Sequence, residues 1–151
     1  MSFLNAVINN VEDESLREDL QERVDIVEHK IKFMDKVPVC VLDRENAVNP
    51  VLNILIESAG GEIQFDPLQA KVLIYHETQV SMLDFMGAVP SLLENEWPAV
   101  EYNRVYLMED TSAFFSDPES FVSALEDVAE MLYPGYFVFG NEGKTWTSFG
   151  L

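Results

Sequence analysis

Basic residues are scarce in this chain, cysteine is nearly absent, and a long apolar run is missing altogether. Nine Lys and Arg stand against 27 Asp and Glu in 151 residues, a formal charge of −18. Such a charge repels phosphate backbones and anionic lipid surfaces alike, so nucleic acid is not an expected partner. The acids are spread through the chain rather than gathered in one block, the pattern of a surface kept soluble by self-repulsion; docking onto a basic partner is the sharper alternative. The single cysteine, Cys40, cannot close an internal disulfide, and between Val39 and Val41 it reads as a small hydrophobe in a strand, with no redox role. Nothing approaches the roughly 18 consecutive apolar residues of a membrane-spanning helix, so no membrane insertion is expected. Residues Met1 to Val7 carry no basic side chain, and the apolar ones before Asn9, Asn10 and Glu12 are too few for the hydrophobic portion of a secretory signal. The sequence as given therefore reads as cytoplasmic, or as periplasmic if it is a piece of a secreted protein.

Signatures of catalysis are equally thin. There is no Gly-x-Ser-x-Gly turn, and neither of the two histidines, His29 and His76, has a serine or cysteine partner nearby in sequence. Gly60-Gly61 closes a helix where a phosphate cradle would open one, and no basic residue follows it in the required place. The residues point away from an enzyme, and no catalytic group, metal or cofactor is expected.

What is present is an ordinary globular composition, 48% apolar and 24% charged. A chain of this length buries roughly 68–70% of its unfolded surface, enough for a core without disulfide or metal. Ser15 with Glu18 three positions later has the spacing of a capping box, and Leu16, Leu20, Val24, Val27, Ile31 and Met34 fall on one face of a helix over 15–35. Val37 to Leu42 is apolar at successive positions, as in a strand covered on both faces. Asn49-Pro50 opens a helix that Gly60-Gly61 stops. The alternation repeats with a strand at Lys71 to Tyr75 and a helix from Ser81 to Leu93, which turns Met82, Met86, Val89 and Leu93 inward and is kinked or cut short by Pro90. A third strand at Arg104 to Met108 precedes a helix capped by Asp117-Pro118, burying Phe121, Leu125, Val128 and Leu132 and ending before Pro134-Gly135. The aromatic tail over 136–151 reads either as a hairpin around its Gly-containing loop or as a strap over the sheet. The expected architecture is a three-layer α/β domain: a short segment 1–14, then one lobe over 15–151. Its β-α-β-α-β-α core at 36–135 forms a small, mainly parallel sheet with helices on both faces and the long amino-terminal helix packed alongside.

In an open parallel sheet, ligands collect beyond the carboxyl ends of the strands. The loops there contain Asp43-Arg44-Glu45, His76-Glu77-Thr78 and Glu109-Asp110-Thr111-Ser112. His76 beside Glu77 is the nearest approach to an acid–base or metal pair, yet a metal needs three or four ligands, and His29 sits on the polar side of the first helix. Carboxylates such as Asp43, Glu109 and Asp110 at strand ends serve more commonly as caps for backbone donors. Phe114 and Phe115, with Trp97, Tyr102 and Tyr106, could stack on a planar ligand, although packing over the core is the favoured reading.

Taken in order, several segments resemble one known family. These are the run Val37 to Asp43, the series Ile56-Glu57-Ser58-Ala59-Gly60-Gly61-Glu62, and Asp66-Pro67-Leu68-Gln69-Ala70-Lys71-Val72-Leu73-Ile74. They continue with Trp97-Pro98-Ala99-Val100-Glu101-Tyr102-Asn103-Arg104-Val105-Tyr106, with Phe114-Phe115-Ser116-Asp117-Pro118, and with Leu125 through Tyr133-Pro134. Together they look like the carboxyl-terminal lobe of the helical-backbone periplasmic substrate-binding proteins, receptors that deliver cobalamin and ferric siderophores to importers. In that family a whole amino-terminal lobe precedes a rigid connecting helix, which Ser15 to Met34 resembles, and ligand lies between the lobes. Two family features are absent: Glu119-Ser120 stands where an arginine is common, and Leu42-Asp43-Arg44-Glu45 lacks a tryptophan. The resemblance implies a non-enzymatic binding module in which Asp43, Arg44, His76, Glu77, Glu109, Asp110, Phe114 and Phe115 hold a corrinoid or iron chelate. Binding would be weak, or completed by a partner lobe. The alternative is an interaction domain that keeps the fold without the ligand and self-associates, with a homodimer covering the stripe on the first helix.

Overall fold

The computed structural model describes residues 2–109 and 117–149. Its centre is a five-stranded sheet in the order β2-β1-β3-β4-β5, with β1 at Val37–Leu42, β2 at Gly61–Ile63, β3 at Val72–Tyr75, β4 at Val105–Met108 and β5 at Trp146–Ser148. The first four strands are parallel and β5 runs antiparallel to β4. Each interior strand is buried on both faces because its alternate residues enter separate cores. Val39, Val41, Val72, Ile74, Tyr106 and Met108 face one core; Cys40, Leu42, Leu73, Tyr75, Val105 and Leu107 face the other.

Helices close both cores. On the first face lie α1 (Ser2–Asn9), α2 (Glu14–Ile31), α3 (Asn53–Ser58) and α6 (Pro118–Leu132). On the second lie α4 (Met82–Ala88) and α5 (Pro98–Glu101). Among the described residues, none of these helices is long and apolar enough to cross a membrane. The thiol of Cys40 sits inside the second core, where burial pushes its pKa up to about 11 and leaves it unreactive at neutral pH.

Most local readings match at residue level. Asn49 accepts a hydrogen bond from the Val51 amide at 3.1 Å and opens a short 3-10 turn at Pro50–Leu52 that leads into α3. Asp117 and Pro118 open α6, and Pro90 turns the end of α4 into a 3-10 turn at Val89–Ser91. Other readings need correction. The long helix runs over Glu14–Ile31 rather than 15–35: Asp13, not Ser15, is its N-cap and accepts from the Leu16 amide at 3.1 Å, and Lys32 closes it. The segment before it forms α1, whose Ile8 is fully buried in the first core, followed by the buried Val11. Gly61 does more than stop a helix, since it starts the edge strand β2. On α4 the inward residue is Phe85 rather than Met86, because Met82, Phe85 and Val89 keep a three- and four-residue spacing.

The tail combines parts of both expectations without being a hairpin. Phe137 is buried and stacks on Phe139 with ring centroids 5.7 Å apart, forming a strap, while β5 pairs with β4 and completes the sheet. Buried acids of α6 anchor this tail. Asp127 accepts from Thr145 Oγ1 at 2.6 Å and from Asn141 Nδ2 at 3.1 Å, and Glu130 Oε1 accepts from the Phe139 amide at 2.8 Å. On the other side of α6, Arg23 of α2 donates to Glu126 Oε1 at 2.6 Å and to Ser123 Oγ at 3.0 Å.

Gly60 is the tightest backbone position. It has φ of +93°, and a Cβ there would lie 2.6 Å from the Tyr133 hydroxyl oxygen. That hydroxyl lies 2.9 Å from the Asp35 carbonyl and 3.2 Å from the Gly60 carbonyl, tying the end of α6 to the start of the sheet. Gly60→Ala is therefore expected to cost about 1–3 kcal/mol through left-handed strain and the displaced tyrosine. Urea unfolding should show a lower midpoint with unchanged slope; an unchanged midpoint would refute this account of the turn.

Candidate functional site

Because β1, β3 and β4 run parallel, the loops after Leu42, Tyr75 and Met108 emerge along one rim. The first two loops are locked together. The His76 amide donates to the Leu42 carbonyl at 3.0 Å and Asn49 Nδ2 donates to the His76 carbonyl at 2.7 Å, so the β3 exit is fixed against the β1 exit. Asp43 shapes the first loop from inside: its Oδ1 accepts from the Glu45 amide at 2.8 Å and the Ala47 amide at 3.0 Å. Asn46, with φ of +58°, takes the left-handed position that this tight turn requires and that asparagine tolerates. Its side chain accepts from the Tyr75 hydroxyl at 2.8 Å and donates to the Leu92 carbonyl at 2.8 Å.

Arg44 and Glu77 form the exposed polar contact of the rim. The Arg44 amide donates to Glu77 Oε1 at 3.1 Å, and its guanidinium reaches Glu77 Oε2 at 3.3 Å. Both side chains are partly exposed to solvent, so the pair orients the loops and contributes no more than about 1 kcal/mol. With Asp43 and Glu45 they line a shallow polar depression of about 460 Å³.

The sequence-derived candidates thus have different fates. Asp43, Arg44 and Glu77 come together. Asp43 is occupied as a turn former, leaving Arg44 and Glu77 as the outward groups. His76 is only 1% exposed and lies beneath the rim rather than on it. Glu109 does stand at the end of β4, where its amide donates to the Thr145 carbonyl at 2.8 Å, but it does not line the Arg44–Glu77 depression. Asp110, Phe114 and Phe115 lie outside the described residues. No cluster of three or more metal-ligating side chains occurs among the described residues.

The aromatic set divides rather than converging. Trp97 is buried in the second core and Tyr106 in the first, on opposite faces of the sheet, while Tyr102 is exposed near Pro98. Tyr102 instead borders a more apolar groove of about 550 Å³ with Leu68, Ala70, Lys71 and Arg104, at the opposite, amino-end rim. Sequence reading missed Asn46 and the tethering role of Asn49. The left-handed tolerance of asparagine after Asp43 was the available signal for the first; the second depends on a contact 27 residues away.

No protein-family model matches the sequence, and no curated protein does. Solved structures do match. An ABC transporter substrate-binding protein from Listeria monocytogenes aligns with a TM-score of 0.62 at 18% identity, covering 79% of this chain and 56% of that one. The TroA-like periplasmic binding protein FepB of Veillonella parvula aligns at 0.60 and 12% identity, covering 82% and 47%. CeuE of Helicobacter pylori, solved as a nickel–histidine complex, aligns at 0.57 and 11% identity, covering 80% and 45%. The likeness is one of fold: this chain has the architecture of a substrate-binding protein lobe. It spans about half the length of the solved proteins it matches.

The rim depends on an acid behind it. Thr145, whose carbonyl holds Glu109, donates its hydroxyl to Asp127, and burial holds that carboxyl above its usual range. The hydrogen bonds from Thr145 and Asn141 oppose the shift, and the nearby charges of Glu130 and Glu126 add to it. A raised native value means that the folded state binds the proton more tightly than the unfolded state. Stability contributed by protonated Asp127 is thus present at low pH and is lost as pH rises from the ordinary carboxylate range through the raised value. Asp127→Asn should therefore gain relative to the parent protein as pH rises above the ordinary carboxylate range of about 4 in urea titrations. A difference independent of pH would show that Asp127 ionises normally.

Proposed function

We propose that the chain acts as a non-enzymatic binding lobe whose ligand surface is the rim at the carboxyl ends of β1, β3 and β4. In this reading the rim takes an anionic metal chelate or corrinoid weakly, or together with a second wall supplied by another chain. The observation that carries the proposal is the Arg44–Glu77 contact, which joins two parallel strand exits and leaves a half-exposed guanidinium at the mouth of a polar depression. Guanidinium binds carboxylate and similar oxygen anions in a forked geometry, so Arg44 can exchange Glu77 for a ligand group. Glu109, at the end of β4, stands on the third side of the rim in this reading. A single lobe offers only half of an enclosing cleft, which limits affinity.

Cobalamin, haem, a ferric chelate and the nickel–histidine complex are the probes for this reading. Saturable binding by absorbance or tryptophan fluorescence, weakened about tenfold or more by Arg44→Ala, is the expected result. Absence of binding at millimolar concentrations of all four, or binding that ignores Arg44, would remove it.

Self-association is a second reading, on other residues than expected: the stripe on α2 is covered by the first core, with Leu20, Val24 and Val27 fully buried and Leu16, Ile31 and Met34 packed against it. Phe33, two residues past the end of α2, is 91% exposed, and Ile26 on α2 is 45% exposed. Exposed apolar side chains on the last turns of a helix and just beyond it suit a symmetric contact between copies. Light scattering should then show a concentration-dependent dimer that Phe33→Ser abolishes; a monomer at high concentration would end this reading.

A further inference from the structure

A third cavity, of about 210 Å³, lies away from the rim, between α6, the β4–β5 edge and the aromatic tail. Tyr106, Phe137, Trp146, Glu130 and Glu142 are among its lining residues. Two of these residues carry buried polar atoms without a hydrogen-bond partner. Glu130, 9% exposed, uses Oε1 for the Phe139 amide and leaves Oε2 unpaired; Trp146, 3% exposed, leaves its indole Nε1–H unpaired. Folded proteins satisfy nearly all buried polar atoms, so an acceptor and a donor without partners on two residues lining one cavity are the groups that a polar guest there would satisfy.

The surroundings define its chemistry. Among the described residues no cation lies within ion-pair reach of Glu130. The Lys30 ammonium is held by the Tyr136 carbonyl at 2.7 Å, and the Arg104 guanidinium by the Tyr106 hydroxyl and the carbonyls of Met131 and Leu132. Those same cations sit over two of the cavity's rings, Lys30 Nζ at 5.1 Å from the Phe137 centroid and the Arg104 guanidinium carbon at 5.9 Å from that of Tyr106. The rings are thus already used as cation supports, and the indole of Trp146, the ring type best suited to that role, packs against Tyr106 with centroids 5.7 Å apart. Two carboxylates and three aromatic rings favour a positive guest, while the indole N–H requires an oxygen acceptor on the same guest. We propose that this cavity binds a small amino alcohol, its ammonium directed to Glu130 and its hydroxyl oxygen accepting from Trp146 Nε1.

Ethanolamine is the probe, with ethylene glycol as the uncharged control of similar size. The chain contains only two tryptophans, Trp97 and Trp146, and Trp97 lies in the opposite core, so its indole N–H resonance is an internal reference. In ¹H–¹⁵N spectra the Trp146 indole signal should shift saturably with ethanolamine, with the Trp97 signal unmoved and ethylene glycol without effect. Glu130→Gln, which keeps an acceptor for the Phe139 amide, should weaken binding at least about tenfold. Three results would overturn the proposal: no saturable shift at tens of millimolar ethanolamine, meaning the cavity holds water only; an equal response to ethylene glycol; or unchanged affinity in a folded Glu130→Gln protein. If that variant does not fold, the comparison of the two probes on the parent protein decides the matter.

Discussion

Burial of the interior strands on both faces is the constraint from which the remaining geometry follows. A strand whose residues all enter a core must have helices above and below it, and the chain must cross over a face to add the next strand in the same direction. With β1, β3 and β4 running the same way, their exits share one edge, which is why Asp43, Glu77 and Glu109 stand along a common rim although they are separated by 34 and 32 residues in sequence. The polar surface of the molecule's candidate site is thus a by-product of how the apolar residues are arranged.

Helix α6 holds the two ends of the chain to this sheet. Its apolar side, from Phe121 to Leu132, packs in the first core, yet Glu126, Asp127 and Glu130 on the same helix are buried as well. Each of these acids has a partner from a distant segment: Arg23 from α2, Thr145 and Asn141 from the tail, and the Phe139 amide from the aromatic strap. A buried carboxylate is tolerated only where such donors compensate for lost water. Arg104 completes the arrangement by donating to the last carbonyls of α6, where a cation is favoured by the helix dipole.

The three main strands, the caps at Asn49 and Asp117 and the break at Pro90 were legible because each depends on neighbours within a few residues. An apolar run, an Asn-Pro pair or a proline inside a helix acts locally wherever it occurs. The edge strand β2 was not legible, since Gly61–Ile63 has no strand pattern of its own and becomes a strand only by pairing with β1. The same is true of β5, whose place depends on β4. In the candidate site, strand-end position was sufficient to single out Asp43, Arg44 and Glu77, but their division of labour was not. Asp43 turns inward to backbone amides, while Arg44 and Glu77 remain available at the surface.

By residue type alone the chain carried the order of the three main strands and the helices that follow them, the double-sided burial of those strands and the strongly anionic character of the surface, because hydrophobic periodicity, capping and charge depend on short-range spacing. The tertiary structure alone decided that His76 lies beneath the rim, that Trp97 and Tyr106 part to opposite cores, and that the acids of α6 are covered by the tail. Those outcomes depend on which surfaces meet across roughly 10 to 100 residues of chain, and local pattern carries no information about contacts at that separation.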